Sequence, residues 1–500
     1  MKPTAALACL LVPGMLHAGT WHVSTTGNDA ASGLSLATAW ATPQHASDLA
    51  MAGDTVLVHP GNYPGFAAMD HSGTTSAPIV FRASGPGVHI TSPCSYNGLD
   101  GINVEGVEWV VIEGFTVNDM PRTGIRTALS DHITIRHNHC ANNYKWGILT
   151  GFAEHVVIEH NVCIGSVDEH GIYVSNSADD PIIRFNTCAD NHGNGIHMNG
   201  DESMGGDGVI GNARIYGNTI HGNGVGGGSG INCDGVVDAV IHNNLLYDNH
   251  ASGISLYRID GGAPSTGNKV YNNTVVNAAD GRWCLNIGEG CTGNQALNNI
   301  LINLHPWRGS IVVAANALSG FVSDHNIVTP RLSPDGDATV LDLDDWQTLG
   351  FDAGSMVAAP LAQLFVQPGS DHHAASPAAP QVDAGTSAVS TVVLDDLDGT
   401  PRPQGLAFDI GCHEAPFATA VPESRAGKGP SLRAEGRVLV VEATGAGRLE
   451  LRDPAGRLVF TTELTGDIQR IATPITGPGL ACLYDTAGER TAVRRLLFLD

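Results

Sequence analysis

The stretch Ile133-Thr134-Ile135-Arg136-His137-Asn138 is answered 23 residues later by Val156-Val157-Ile158-Glu159-His160-Asn161. Both read apolar-x-apolar-x-x-Asn. The pattern returns at Ala213–Asn218, Ala239–Asn244, Asn268–Asn273 and Ala296–Asn299, with a looser copy at Pro181–Asn186. The Asn column falls at 138, 161, 186, 218, 244, 273, 299 and 326. A second marker, Gly-Ile, recurs at Gly124-Ile125, Gly147-Ile148, Gly171-Ile172, Gly195-Ile196, Gly230-Ile231 and Gly253-Ile254. A repeat this short, built from alternating apolar strands, cannot bury its own face and must stack on its neighbours.

Period-two alternation then sorts the side chains. Ile196 and Met198 point inward, as do Ile231 and Cys233, and Ile254 and Leu256. Cys140, Cys163 and Cys188 take equivalent core positions and act as small hydrophobes. The Asn column is expected to tolerate a left-handed turn and to hydrogen-bond its stacked neighbour. The fold class expected is all-β: a right-handed parallel β-helix solenoid followed by a small C-terminal β-sandwich. Its parts are a signal peptide over 1–18, the β-helix over 19–330, a closing segment over 331–415, a linker over 416–436 and the sandwich over 437–500.

Composition agrees and excludes other classes. The chain has 500 residues, 62 of them Gly, with 25 basic and 50 acidic residues and a formal charge of -25. So acidic a chain has no basic footprint for nucleic acid. After residue 20 no apolar run reaches membrane-span length. Lys2 followed by the apolar Ala5–Met15 and by Ala18 reads as a secretory signal, placing the protein outside the cell or on its surface. The remaining nine cysteines are odd in number and scattered, with Cys284 and Cys291 expected to pair across a turn.

The alternation also maps a surface. The first outward position of the Gly-Ile strand reads Arg126, Leu149, Tyr173, His197, Asn232, Ser255, Asn286. The second reads Ala128, Gly151, Ser175, Asn199, Asp234, Tyr257, Gly288. Rungs are about 4.8 Å apart, so Tyr173, His197 and Asn232 stack beside Asn199, Asp234 and Tyr257. The 35-residue repeat carries an extra loop, Asp201–Gly211, with Asp201, Glu202 and Asp207. Insertions in a solenoid gather on one face, often the binding face. Gly224–Gly230 lets the chain approach that face closely. His197, Tyr257, Arg258 and Tyr173 are the candidate catalytic residues. Asn199, Asn232, Lys145, Arg282 and Trp283 are candidate substrate contacts, with Lys145 also placed one rung below Glu169 as its ion-pair partner. Trp faces stack on sugars and Arg pairs with carboxylates. Asp201, Asp207 and Asp234 are hard oxygen ligands suited to Ca²⁺.

The repeats resemble right-handed parallel β-helix proteins of the pectate lyase type. Trp21-His22-Val23-Ser24-Thr25-Thr26-Gly27-Asn28-Asp29 and Ala52-Gly53-Asp54-Thr55-Val56-Leu57-Val58 are similar to the opening of that group. Ser370-Asp371-His372, Asp383-Ala384-Gly385, Asp398-Gly399, Arg402-Pro403 and Asp409-Ile410-Gly411 resemble the segment that closes many secreted bacterial β-helix proteins. The alternation over Val438–Val441, Arg448–Leu451 and Gly456–Phe460 resembles the sorting domains of certain Gram-negative bacteria. The resemblance implies a monomer acting on a polysaccharide. As a lyase on a uronic-acid glycan, the protein would use Ca²⁺ or Arg258 against the carboxylate, His197 as base, and Tyr257 or Tyr173 as acid. The relatives use Lys or Arg as base, and here only Lys145 is near the face. A uronate C5-epimerase, a glycoside hydrolase using Asp201 and Asp234, and a non-catalytic glycan-binding or adhesive protein are the alternatives.

Overall fold

The computed structural model describes residues 18–415 and, beyond them, the strands that lie between 431 and 498. Of the expected signal peptide over 1–18 and linker over 416–436, residues 1–17 and 416–430 lie outside the described residues, and the strand Ser431–Glu435 falls within the span expected to be linker. The chain divides into two compact units, residues 1–415 and 416–500.

The first unit is a parallel β-solenoid. Three sheets of 12, 11 and 12 strands run its length, each strand pairing with its counterparts one repeat before and after. The 11-stranded front sheet carries the Gly-Ile strands, among them Trp146–Gly151, Ile172–Ser175, Ile196–Asn199, Ser229–Asp234, Ser252–Tyr257 and Leu285–Ile287. Its inward side is one apolar column: Ile125, Ile148, Ile172, Ile196, Ile231 and Ile254 are fully buried and stacked in register. Cys140, Cys163 and Cys188 stack the same way on another sheet. The sheets continue past residue 330, through Leu332–Ser333 and Met356–Val357. The second unit holds two small antiparallel sheets of three and four strands.

The Asn column is a continuous ladder. The Oδ1 atoms of Asn161, Asn186, Asn218, Asn244, Asn273, Asn299 and Asn326 each accept the backbone N–H of the preceding Asn at 2.8–3.1 Å. Their Nδ2 groups donate to backbone carbonyls, as Asn244 does to Ile215. All are buried. One detail differs from expectation. The left-handed residue is the one before each Asn: His137, His160, Phe185, Gly217, Asn243, Asn272, Asn298 and His325 have φ of 50–65°. That corner turns the chain so that the following Asn side chain enters the core, where its amide must find partners. A second ladder joins Asn191, Asn223 and Asn249.

Residues 361–415 fold back along the flank of the solenoid. At three successive rungs the corner residue is itself Asn and faces this segment. Asn243 Nδ2 donates to Asp395 O, Asn272 Nδ2 to Asp409 O, and Asn298 Nδ2 to Thr386 O. Arg402 and Glu414 form an ion pair at 3.0 Å with both side chains fully buried. Arg402 also donates to the carbonyls of Asp409 and Gly411. The eight described cysteines are free, so Cys284 and Cys291 do not pair. Both are buried in the core, where Cys291 Sγ turns to Glu289 O.

Candidate functional site

The outward face of the front sheet has the stacking that period two demands. Tyr173 pairs with His197, His197 with Asn232, Asn232 with Ser255, and Ser255 with Asn286. Alongside, Ser175, Asn199, Asp234 and Tyr257 are in register. Tyr173 and His197 lie face to face at 5.0 Å, 24° between planes. Trp146, one rung earlier, stacks on Tyr173 at 5.5 Å. Three aromatic rings thus form a platform over three rungs.

His197 is held from behind. Its Nδ1 lies 3.0 Å from His170 Nε2. The backbone N–H and side-chain amide of Asn194 both donate to His170 Nδ1, at 3.1 and 3.3 Å. Ser229 N–H and Asn232 Nδ2 donate to Asn194 Oδ1 at 2.6 and 2.9 Å, which fixes the direction of that amide. The Gly-rich stretch makes this possible. Gly228 has φ +103°, and a Cβ there would sit 2.3 Å from Asn194 Oδ1.

The network sets the tautomers. An Nδ1 that accepts from Asn194 leaves the neutral His170 proton on Nε2, where it donates to His197 Nδ1. The His197 proton then sits on Nε2, the nitrogen away from His170. Burial favours neutral rings: it holds His170 well below its ordinary value, assisted by His197 and Lys145, and pulls His197 down to about 4. Burial likewise pushes Tyr173 up to about 12, and raises Tyr257 with help from Asp234. Both phenols stay protonated. Tyr173 Oη accepts from Asn199 Nδ2 at 3.3 Å, which leaves its own proton free to donate. His197 Nε2, Trp146 Nε1 and Asn232 Oδ1 are buried without a hydrogen-bond partner. Such atoms carry a desolvation cost that a ligand would relieve.

The acidic residues expected to share a cation are dispersed into separate structural tasks. Asp234 accepts the backbone N–H groups of Ile259, Asp260 and Gly261. Asp201 caps the short turn Glu202–Met204 through Ser203 N–H, and Asp207 takes Val209 N–H. These three do not converge within the described residues. Arg258 donates to Gly261 O and reaches Glu202 at 3.9 Å. Lys145 pairs with Glu169 at 2.5 Å and lies over Trp146. Arg282 and Trp283 stand further along the same face, where they line a groove of about 780 Å³ with Asn286, Glu289, Arg308 and Asp335.

Sequence reasoning passed over Trp146 and Asn194. Trp146 precedes Gly147-Ile148 directly, so the frame itself signalled it. The bond from Asn194 to His170 spans 24 residues between two turns, outside any strand alternation.

A separate group sits at another corner. Asp131 Oδ1 is 2.8 Å from His132 Nδ1 and 2.9 Å from His155 Nδ1. The rings of Trp109, His132 and His155 stack at 3.8 and 4.5 Å. His132 Nδ1 is buried without a properly directed hydrogen bond.

The fold is that of a parallel β-helix, with pectate-lyase-like structural neighbours. The pectate lyase Pel9A is similar with a TM-score of 0.52 and 16% identity, over 79% of this chain and 96% of that one. An alginate lyase from Paenibacillus sp. str. FPU-7 (TM-score 0.41, 19% identity, 53% and 93%) is also similar. So is the A-module of the Azotobacter vinelandii mannuronan C-5 epimerase AlgE6 (TM-score 0.37, 16% identity, 63% and 93%). At these identities the likeness is one of fold. The family model described as periplasmic copper-binding protein (NosD) matches residues 82–281. No curated protein matches the chain.

Proposed function

We propose that this protein binds a polysaccharide along the outward face of the front sheet and cleaves it by β-elimination. The observation that carries the reading is the Trp146–Tyr173–His197 platform, with His197 Nε2 buried and unpartnered within it. Stacked rings suit sugar faces. The phenols of Tyr173 and Tyr257 and the imidazole of His197 are neutral proton donors on one surface. Such a set stabilises negative charge developing on a substrate oxygen. An enolate-like intermediate at a uronate carboxyl develops that charge, whereas glycoside hydrolysis develops positive charge and calls for paired carboxylates.

The tautomers change the roles expected of these residues. His197 serves as a donor to the substrate carboxyl rather than as base. Tyr257 or Tyr173 protonates the leaving oxygen. The proton at C5 passes to a carboxylate, Asp201 or Asp260, both of which bear on Tyr173 electrostatically. Arg282 and Arg308 in the adjoining groove offset the repulsion of a polyanion by an acidic chain. The same proton abstraction without cleavage would be an epimerase. The test is incubation with acidic and neutral polysaccharides, with and without Ca²⁺. Absorbance from unsaturated ends supports the lyase, and a changed uronate composition without absorbance the epimerase. Binding without either outcome leaves a glycan-binding protein and overturns the catalytic reading.

A second reading rests on a different observation, the Asp131–His132–His155 group inside the residues matched by the copper-binding family model. Two imidazole nitrogens and a carboxylate are a donor set for Cu²⁺. The unsatisfied His132 Nδ1 fits it. Copper held there would bind at neutral pH, and His132→Ala should abolish its paramagnetic resonance signal. For either reading the protein works in the periplasm or beyond the cell.

A further inference from the structure

We infer that His373, Asp398 and His413 form a binding site for a transition-metal dication of the Zn²⁺ class, built into the segment that lies along the solenoid flank. His373 belongs to the strand Asp371–Ala374. Asp398 sits in a tight turn whose Asp396 Oδ1 takes the N–H groups of Asp398 and Thr400. His413 follows Cys412, whose N–H donates to Thr274 of the solenoid. Three separate pieces of chain therefore meet here. His373 Nε2 lies 2.7 Å from Asp398 Oδ2, and His413 Nδ1 lies 3.1 Å from the same oxygen. The two imidazoles stack at 3.9 Å, 29° between planes.

The decisive contact is on the far side of His373. Its Nδ1 is 2.7 Å from Asp371 Oδ1. A carboxylate there takes the imidazole proton and leaves the lone pair on Nε2, the arrangement that orients metal-bound histidines. That lone pair then faces the Asp398 oxygen at hydrogen-bond distance. Two acceptors in contact repel unless a second proton or a cation lies between them, and a second imidazole nitrogen faces the same oxygen.

The three ligand atoms lie within 4.8 Å of one another. Two nitrogens and one carboxylate oxygen suit Zn²⁺, with water completing the shell, and do not suit Ca²⁺, which takes oxygen throughout. The His373 and Asp398 side chains are half exposed, which gives the ion a path in. The scaffold is already fixed by Asn243, Asn272, Asn298 and the buried Arg402–Glu414 pair. The site lies outside residues 82–281 and is separate from the front sheet.

The test is titration of the metal-stripped full-length chain with Zn²⁺, followed by calorimetry and by thermal melting. Wild type should take up the ion with micromolar or tighter affinity and melt several degrees higher when loaded. Asp398→Asn and His373→Ala should each bind one Zn²⁺ fewer and lose that rise, while truncation of an exposed histidine outside both His–Asp groups, His89→Ala, retains both. His373 is exposed, so its truncation tests the site without disturbing a packed group. Equal stoichiometry in wild type, Asp398→Asn and His373→Ala would overturn the proposal. So would a melting temperature that responds to pH and not to Zn²⁺, the behaviour of a proton-bridged His–Asp–His cluster.

Discussion

The ring of His170 stands between a backbone N–H and the ring of His197: Asn194 donates to its Nδ1 at 3.1 Å, and its Nε2 lies 3.0 Å from His197 Nδ1. One main-chain group thereby decides which nitrogen of a second histidine, 27 residues from the first, carries the proton. Nitrogen-15 spectra of the imidazoles at pH 7 should show both rings as the Nε2–H tautomer. Asn194→Ala keeps the backbone N–H but removes the side-chain amide that also donates to His170 and holds Ser229 and Asn232, and should lower turnover about 10-fold. His197→Ala should abolish it. Near-normal turnover in His197→Ala would remove this face as the site.

Acid should destabilise the fold through His242. This ring is buried, stacks on Tyr216 at 4.9 Å, and leaves both nitrogens unpartnered. Burial, with Arg214 and Arg402 nearby, pulls it down to about 3. An unfolded chain protonates this group near pH 6.5, and the folded one does not. Its contribution is therefore complete above about 6.5 and is lost as pH falls toward 3, with a slope of up to about 1.4 kcal/mol per unit. His242→Phe should flatten the stability profile between pH 6 and 4 in chemical denaturation. An unchanged profile would exclude this group as its source.

The Asn ladder should be costly to interrupt. Asn244 bonds Asn273, Asn218 and Ile215 O from within the core. Asn244→Ala orphans a buried N–H and a buried carbonyl, and should cost about 1–3 kcal/mol for each group left unpaired. Asn244→Asp, which places a charge in the same position, should cost more. Denaturant midpoints of the two variants give the comparison.

Removing Arg402 should expose how strongly Glu414 depends on it. Glu414 already stands at about 7, raised by burial and by Asp409 against the pull of Arg402. Arg402→Met should destabilise by about 3–5 kcal/mol at pH 8, the typical cost of an uncompensated buried charge. The deficit should shrink toward pH 6 as Glu414 takes up a proton. Arg402→Met with Glu414→Gln should recover most of the loss at pH 8.

Much of this was legible because a β-strand alternates strictly and a solenoid repeats. Gly-Ile gave the frame, and counting by two from it put Tyr173, His197 and Asn232 on one face in the register observed. The Asn column was visible for the same reason. Its left-handed corner was assigned one residue late, since a sequence does not distinguish the residue that turns from the residue the turn delivers inward. Asp234 shows a different limit. Its place on the outward column was readable, but its partners are backbone N–H groups of Ile259–Gly261, which carry no residue identity. The bond from Asn298 to Thr386 crosses 88 residues and belongs to no repeat.

The three corner asparagines divide the solenoid into two evolutionary regimes. Among the described residues, corners before Gly217 make no such bond to the returning segment, so unequal recombination should add or delete a rung there at less cost. Asn243, Asn272 and Asn298 instead match fixed points on a single returning strand of chain. Gaining or losing a repeat among them breaks that correspondence. Length variation in this protein's lineage should therefore gather in the first half of the coil, while the second half keeps a constant number of turns.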